Sequence, residues 1–148
     1  MVRVNLIPST QLSDQHLIAE YREILMLFGY YRKHPVIQPS QNHFCPMRFY
    51  HDKLQYLMRR WIALKVEMIM RGFNPTINLH YKELQLRDEF QGRFKDFVPS
   101  PEQIKSMKER ITQRISEKPN WYRYNHEYKS PQFFQELMQC ENADINFM

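Results

Sequence analysis

The stretch MVRVNLIPSTQLSDQHLIAEYRE, residues 1–23, decides how this chain is organised. Its first twelve residues contain Pro8 and show little periodicity, so they predict an extended arm. Ser13 or Asp14 follows as an N-cap, and a regular helical pattern begins there. The stretch therefore predicts a non-helical arm that leads directly into a helix.

The helix that follows the arm is amphipathic when its residues are placed at steps of about 100° around an axis. Its apolar arc consists of Ile24, Leu17, Phe28, Tyr21, Leu25 and Ile18. The opposite arc is polar except for Ala19 and Met26, and it places Glu23 and His16 about 20° apart. Such an arc is typical of a solvated helix face. Since it also sets a carboxylate beside an arm that ends in an amine, it allows a second interpretation, imine chemistry. The helix is predicted to end near Gly29 or soon after.

The composition indicates one globular domain. The chain has 148 residues, of which 43% are hydrophobic, so it can bury one core and is not disordered. No run of residues approaches the length of a membrane span, and no signal peptide is recognisable. Cys45 and Cys140 lie far apart in different contexts, which predicts free thiols in a reducing cytoplasm.

The positive charge is concentrated before residue 125. The formal net charge is +5, but residues 125–148 hold one lysine and four carboxylates, so the first 124 residues carry +8. An excess of this size favours a polyanionic partner, most often nucleic acid. Solubility alone is the competing explanation.

The rest of the chain predicts further helices and an all-α class. Three prolines make residues 35–47 a loop, and an apolar stripe predicts a second helix over 50–71 that Gly72 stops. That stripe consists of Leu54, Leu57, Trp61, Leu64 and Met68. Residues 74–99 fit either a short helix around 79–90 or a long loop. The pattern predicts a single compact domain with about three main helices.

The last two predicted helices both begin at a serine-proline pair. Ser100-Pro101 opens a third helix that Pro119 ends, and its inward face carries isoleucines and a methionine. Ser130-Pro131 opens a short helix over 133–138. No internal repeat and no strand-like alternation were found.

Two features of the carboxy-terminal half could contact a nucleic acid. Arg110, Arg114 and Lys118 recur on one face of the third helix, as a phosphate-following stripe would, although a solvated face looks the same. The segment 121–124, Trp-Tyr-Arg-Tyr, combines stacking surface with a guanidinium. Aromatic residues near a helix end also fill cores, and that is the competing explanation.

No metal, cofactor or nucleophile motif is recognisable. The six histidines fall in no paired ligand spacing and no C-x-x-C accompanies them. A glycine-rich phosphate loop and a serine nucleophile motif are also missing. The sequence therefore predicts neither a metal nor a cofactor.

Several blocks of the sequence resemble the bacteriophage-type pyrimidine-dimer DNA glycosylases, the endonuclease V type. They are R-V-N-L at 3–6, L-S-D-Q-H-L-I-A-E-Y-R-E at 12–23, R-K-H at 32–34, Y-H-D-K-L at 50–54, R-G-F at 71–73 and K-P-N-W-Y-R-Y at 118–124. The match is good over 2–34 and 104–124 and weak between them. The resemblance implies an all-α enzyme that excises cyclobutane pyrimidine dimers from damaged double-stranded DNA without a cofactor. A monomer is the default expectation, since the sequence itself does not indicate an oligomeric state.

The resemblance also implies roles for individual residues. Removal of Met1 would free the α-amine of Val2 to attack the sugar C1′, and Glu23 matches the catalytic carboxylate. The positions implied to contact DNA or to shape the site are Arg3, Gln15, His16, Arg22, Arg32, Lys33, Arg110, Arg114 and Lys118. Trp121, Tyr122, Arg123 and Tyr124 match the block associated with lesion recognition. Residues 1–124 would form the catalytic domain, with 125–148 an acidic extension packed on it.

Departures from the family pattern leave alternatives open. Residue 2 is Val where the family usually has Thr, Met26 stands where close relatives carry arginine, and the loop over 35–47 differs. The same imine chemistry on another damaged or modified base is one alternative. A catalytically silent DNA-binding relative that retains Met1 is another, and a helical partner-binding domain is a third.

Overall fold

The computed structural model describes residues 3–75 and 83–140, and helices dominate both ranges. The helices are α1 (Asp14–Lys33), α2 (Pro46–Phe49), α3 (Leu54–Met70), α4 (Glu83–Glu89), α5 (Pro101–Glu117) and α6 (Pro131–Met138). A 3₁₀ helix, Ser9–Gln11, precedes α1, and an antiparallel pair, β1 (Arg123–Tyr124) and β2 (Glu127–Tyr128), separates α5 from α6. The predicted all-α class with three main helices is confirmed, since α1, α3 and α5 have 20, 17 and 17 residues. Within the two ranges, no helix combines the length and the apolar character needed to cross a bilayer.

Serine caps start three of the helices. The Ser13 side chain accepts a hydrogen bond from the backbone N–H of His16 at the start of α1, so Ser13 rather than Asp14 is the cap. Ser100 and Gln103 form a reciprocal capping box at α5, and Ser130 caps α6. These side chains satisfy N–H groups that the first helical turn leaves unpaired. The predicted starts of α5 and α6 are therefore confirmed.

α1 ends soon after Gly29, as predicted, whereas the predicted start of α3 is wrong. α1 continues four residues past Gly29 to Lys33, because the buried Tyr31, two residues after Gly29, keeps the helix packed on the core. Its hydroxyl donates hydrogen bonds to backbone carbonyls at the start of α2. α3 begins at Leu54 rather than near Tyr50, whose backbone N–H is used by the preceding helix α2.

The arm and the later loops contain structure that periodicity did not indicate. The predicted arm is interrupted by the 3₁₀ helix. α4 agrees with the short-helix alternative for residues 79–90, of which residues 79–82 lie outside the described residues. The hairpin was not predicted, because strands of two residues show no alternation. Asn125 and His126 form its turn with φ values of 53° and 73°, as a type I′ turn requires.

The core lies between α1 and α3 and extends to α5 and α6. The α1 residues that it buries are Leu17, Tyr21, Ile24, Leu27, Phe28 and Tyr31. All five predicted stripe residues of α3 are buried against them. Met107, Ile111 and Ile115 of α5 are buried as predicted, and Ile104 is half-buried. Phe134 and Met138 of α6 join the same core.

A buried ion pair fastens the arm to both central helices. Glu20 of α1 and Arg60 of α3 are both fully buried, with Arg60 Nε 2.6 Å from Glu20 Oε2 and Nη2 3.0 Å from Oε1. Asn5 Nδ2 donates to Glu20 Oε1 at 2.8 Å, and Arg60 Nη1 donates to the carbonyl of Ile7. Placing Glu20 on a solvated arc was wrong, because its tertiary partners make it part of the interior.

Replacing Arg60 with Met should destabilise the protein by about 3–5 kcal/mol, because the Glu20 carboxylate would remain buried without its counter-charge. The free energy of unfolding from urea denaturation measures this effect. Arg59→Met is the matched control, since Arg59 pairs with Asp96 on the surface and exposed pairs contribute about 0–1 kcal/mol. Equal losses in the two variants would contradict a special role for the buried pair.

Candidate functional site

The arm brings the backbone of Arg3 against a carboxylate of α1. The Arg3 N–H donates a hydrogen bond to Glu23 Oε2 at 2.9 Å, and Asn5 is held by Glu20 one helical turn earlier. Burial raises the pKa of the half-buried Glu23 carboxyl, and the hydrogen bond from Arg3 and its charge oppose that shift only in part. A carboxyl in this state exchanges protons closer to neutral pH than an exposed glutamate does.

The other predicted catalytic residue, Val2, lies outside the described residues. Arg3 is the first residue of the arm that the structure describes. The backbone nitrogen of Arg3, to which residue 2 is bonded, is therefore the nearest described atom to the amine of residue 2.

Three guanidinium groups converge beside the arm. Arg3, Arg110 and Arg114 line one pocket together with His43 and Phe44. The remaining lining residues are Val4, Asn5, His16, Pro46, Met107 and Ile111. Burial and the charges of Arg114 and Arg3 lower the pKa of Arg110, so the arginines repel each other. A cluster of this kind is suited to phosphate groups.

His16 is a buried wall of the site rather than a solvated side chain. Its ring stacks on Tyr122 with centroids 4.9 Å apart and planes within 5°, and its Nδ1 lies 2.7 Å from Ser13 Oγ. Burial and the charges of Arg3 and Arg114 lower the pKa of His16 to about 4. The imidazole is therefore neutral at neutral pH.

A shallow depression beside the pocket carries the exposed part of the aromatic segment. Arg3, His16 and Arg114 line both cavities, and Trp121 and Lys118 lie on the far side of the depression. Trp121 is 49% exposed, and Lys118 Nζ lies 5.0 Å from the centroid of its indole ring. The arrangement offers an aromatic face next to positive charge, which suits an unstacked base and its phosphate.

The segment 121–124 is divided between surface and interior. Arg123 is exposed beside Trp121, whereas Tyr122 is only 8% exposed because of its stack on His16. Tyr124 is turned inward, and its hydroxyl donates to the carbonyl of Thr10 at 2.7 Å. Core packing therefore accounts for Tyr122 and Tyr124, and a nucleic-acid contact by the exposed Trp121 and Arg123 stays a prediction.

Gln15 contacts the protein rather than open solvent. Its Nε2 donates to the carbonyl of Trp121 at 2.8 Å, and its Oε1 accepts from the N–H of Arg123 at 2.9 Å. Arg22 is exposed on α1 next to Glu23. Met26, one turn further, is 62% exposed, as its place on the polar arc predicts.

Arg32 and Lys33 are not brought to this cluster. They lie at the carboxyl end of α1, about 24 Å along the helix axis from His16. Arg32 Nε donates to Glu89 of α4 at 2.9 Å, so it joins two helices. Any contact of these two residues with DNA would be made at the carboxyl end of α1, nine or ten residues beyond Glu23.

Sequence reasoning missed His43, Phe44, Asp14 and Arg71. The first two come from the proline-rich loop, and Phe44 lies 5.0 Å below the guanidinium carbon of Arg110. Asp14 and Arg71 form a buried ion pair at 2.9 Å behind the hairpin. No local sequence pattern indicated these roles, because only the tertiary packing of the loop and the hairpin brings the residues to the site.

The cysteines are free thiols, Cys45 half-buried and Cys140 exposed. Across the described part of the chain, no three side chains among His, Cys, Asp and Glu are grouped to hold a metal ion.

Comparison with known protein families identifies a family whose sequence pattern matches this chain. The family model described as pyrimidine dimer DNA glycosylase matches residues 1–81. This range is more than half of the chain and includes the arm, Glu23 and the loop with His43 and Phe44. It ends before α5 and the hairpin.

The pH dependence of stability should reveal the neutral His16. The imidazole takes up a proton near pH 6.5 in the unfolded chain but only near pH 4 in the folded protein. The free energy of unfolding should therefore fall by about 3 kcal/mol between these pH values on acidification. Urea denaturation across this range measures it, and His16→Gln should lack that contribution. Parallel curves for the two proteins would contradict the assignment.

Proposed function

The chain belongs to the pyrimidine dimer DNA glycosylase family, a family of DNA repair enzymes, and on that premise we propose a specific reaction. The protein excises cyclobutane pyrimidine dimers from damaged double-stranded DNA and then cleaves the strand as an abasic-site lyase. The α-amine of Val2, freed by removal of Met1, is the nucleophile. Glu23 is the carboxyl that transfers protons.

One hydrogen bond carries this proposal. The N–H of Arg3 donates to Glu23 Oε2 at 2.9 Å, and the α-nitrogen of residue 2 is separated from the Arg3 nitrogen by only three covalent bonds. Those bonds hold the two nitrogens within about 4 Å of each other. A nucleophilic amine and a carboxyl of raised pKa would therefore share one end of the site.

The two groups suffice for both bond cleavages, and water then hydrolyses the imine to release the protein. The neutral amine adds to C1′ as the glycosidic bond breaks, the bonding electron pair leaves with the base, and the base takes up the proton that the attacking nitrogen releases. Glu23 protonates the ring oxygen as the sugar opens, which leaves an imine between C1′ and the protein. The Glu23 carboxylate then removes a 2′ proton, and the electron pair expels the 3′ phosphate.

The acidity of the nucleophile favours an α-amine over a lysine. An α-amine has a pKa of about 7.7–8.0 against about 10.4 for lysine, so roughly a tenth of it is neutral at pH 7. The positive charge of Arg3 beside it would increase that fraction.

The surrounding charges support duplex DNA as the partner. One pocket is lined by Arg3 of the arm together with Arg110 and Arg114 of α5, and Arg22 is exposed beside Glu23. Trp121 and Lys118 supply stacking surface and further charge at the edge of the site. These groups would hold the strand on both sides of the reacting sugar.

Glu23→Gln should reduce cleavage of dimer-containing duplex at least about 100-fold, because the proton transfers would be lost. A glutamine oxygen still accepts the Arg3 N–H, so the arm and DNA binding should be retained. Cleavage on ultraviolet-irradiated duplex and a binding titration measure the two effects. Glu89→Gln is the matched control and should keep full activity. It removes a carboxylate of α4 that pairs with Arg32 at the carboxyl end of α1.

Borohydride should trap the wild-type protein on irradiated duplex and on abasic duplex. The reductant converts the imine to a stable amine, and mass spectrometry of the adduct should locate it on residue 2. An adduct on a lysine side chain, or no adduct from protein shown to begin at Val2, would contradict the proposed nucleophile.

A further inference from the structure

We propose that Asp14 and Gln15 are positioning residues that dock the segment 121–126 on the first turn of α1. The docking keeps the side chains that face the lesion at a fixed place relative to Glu23. This inference rests on the proposed function, and it gives Gln15 a different task from the direct DNA contact that the resemblance implies.

Gln15 holds the backbone on both sides of Tyr122. Its amide nitrogen donates to the carbonyl of Trp121 at 2.8 Å, and its amide oxygen accepts from the N–H of Arg123 at 2.9 Å. The amide plane is thus oriented by the backbone of the segment. Since Trp121 is half exposed on the rim of the depression, the position of its ring depends on this clamp.

Asp14 holds the turn that follows. Its Oδ1 accepts from the N–H of Asn125 at 3.0 Å, and its Oδ2 accepts from the N–H of His126 at 2.7 Å. Both turn residues have positive φ values, which L-residues other than glycine adopt reluctantly. Arg71 Nη1 donates to the same carboxylate at 2.9 Å. Asp14 is only 2% exposed, so it acts through the segment and not on DNA.

The stack of His16 on Tyr122 completes the dock. Three consecutive residues, 14–16, thus contact the segment from one turn of helix. Glu23 lies eight residues after Gln15 on the same helix, about 12 Å along its axis. A rigid helix of this length links the surface that faces the lesion to the groups that perform the chemistry.

The first test compares two substrates in Gln15→Met and Asp14→Asn. Methionine matches the shape of glutamine without either hydrogen bond, and asparagine keeps the shape of aspartate without its charge. The kcat/KM on dimer-containing duplex should fall about tenfold further than on abasic duplex, the size expected for the two hydrogen bonds that Gln15→Met removes. Gln132→Met, in an exposed glutamine of α6 that donates to Glu136, is the control and should keep the wild-type ratio.

The second test needs no DNA. The chain has two tryptophans, and Trp61 is only 4% exposed, so acrylamide quenching reports chiefly on Trp121. The Stern–Volmer constant should rise in both variants and stay unchanged in Gln132→Met. A general loss of stability would not produce this rise under conditions where the variants remain folded.

The outcomes separate positioning from contact. Equal losses on the two substrates with unchanged quenching would show that Gln15 touches DNA directly, and would overturn the inference. Unchanged quenching in both variants would overturn it as well. If Asp14→Asn fails to fold, the half-buried Gln15→Met decides alone. Should the wild type excise no dimers, the proposed function fails, and the quenching still decides whether the two residues hold the segment.

Discussion

The buried pair of Glu20 and Arg60 is the interaction on which the placement of the site depends. Removing two charges from water costs several kcal/mol for each ion, and this cost is offset only when every polar atom finds a partner. Here Asn5 and the carbonyl of Ile7 provide those additional partners. The arm is thereby part of a charge network in the interior, and this network fixes the position from which Arg3 reaches Glu23.

α1 serves as the common support for the parts that we propose to act on DNA. Its first turn holds the hairpin through Asp14 and the aromatic segment through Gln15, and its third turn carries Glu23. α5 contributes Arg110 and Arg114 across the pocket. These parts come from distant regions of the chain. α1 positions two of them, the segment 121–126 and Glu23, and the third is the pair of arginines on α5.

Local features of the fold were predictable from the sequence, and features that depend on distant residues were not. The caps at Ser100 and Ser130 involve neighbours within a few residues, so their sequence pattern was sufficient. Glu20 was expected in solvent because its partner Arg60 lies 40 residues away. Resemblance identified Arg3 and Glu23, which the structure brings together, and also Arg32, which it places at the other end of α1. The roles of Phe44 and Asp14 had no sequence signal, since loop packing creates them.

The crowding of Arg3, Arg110 and Arg114 has a consequence for the free protein. Like charges held this close raise the energy of the folded chain, and a polyanion seated among them would relieve that repulsion. The free protein is therefore less stable to heat than it would be without this repulsion, and a bound polyanion would restore that stability. Replacing one of these arginines with a neutral residue would raise the stability of the unbound protein and weaken its binding to the polyanion, so stability and function oppose each other at this site.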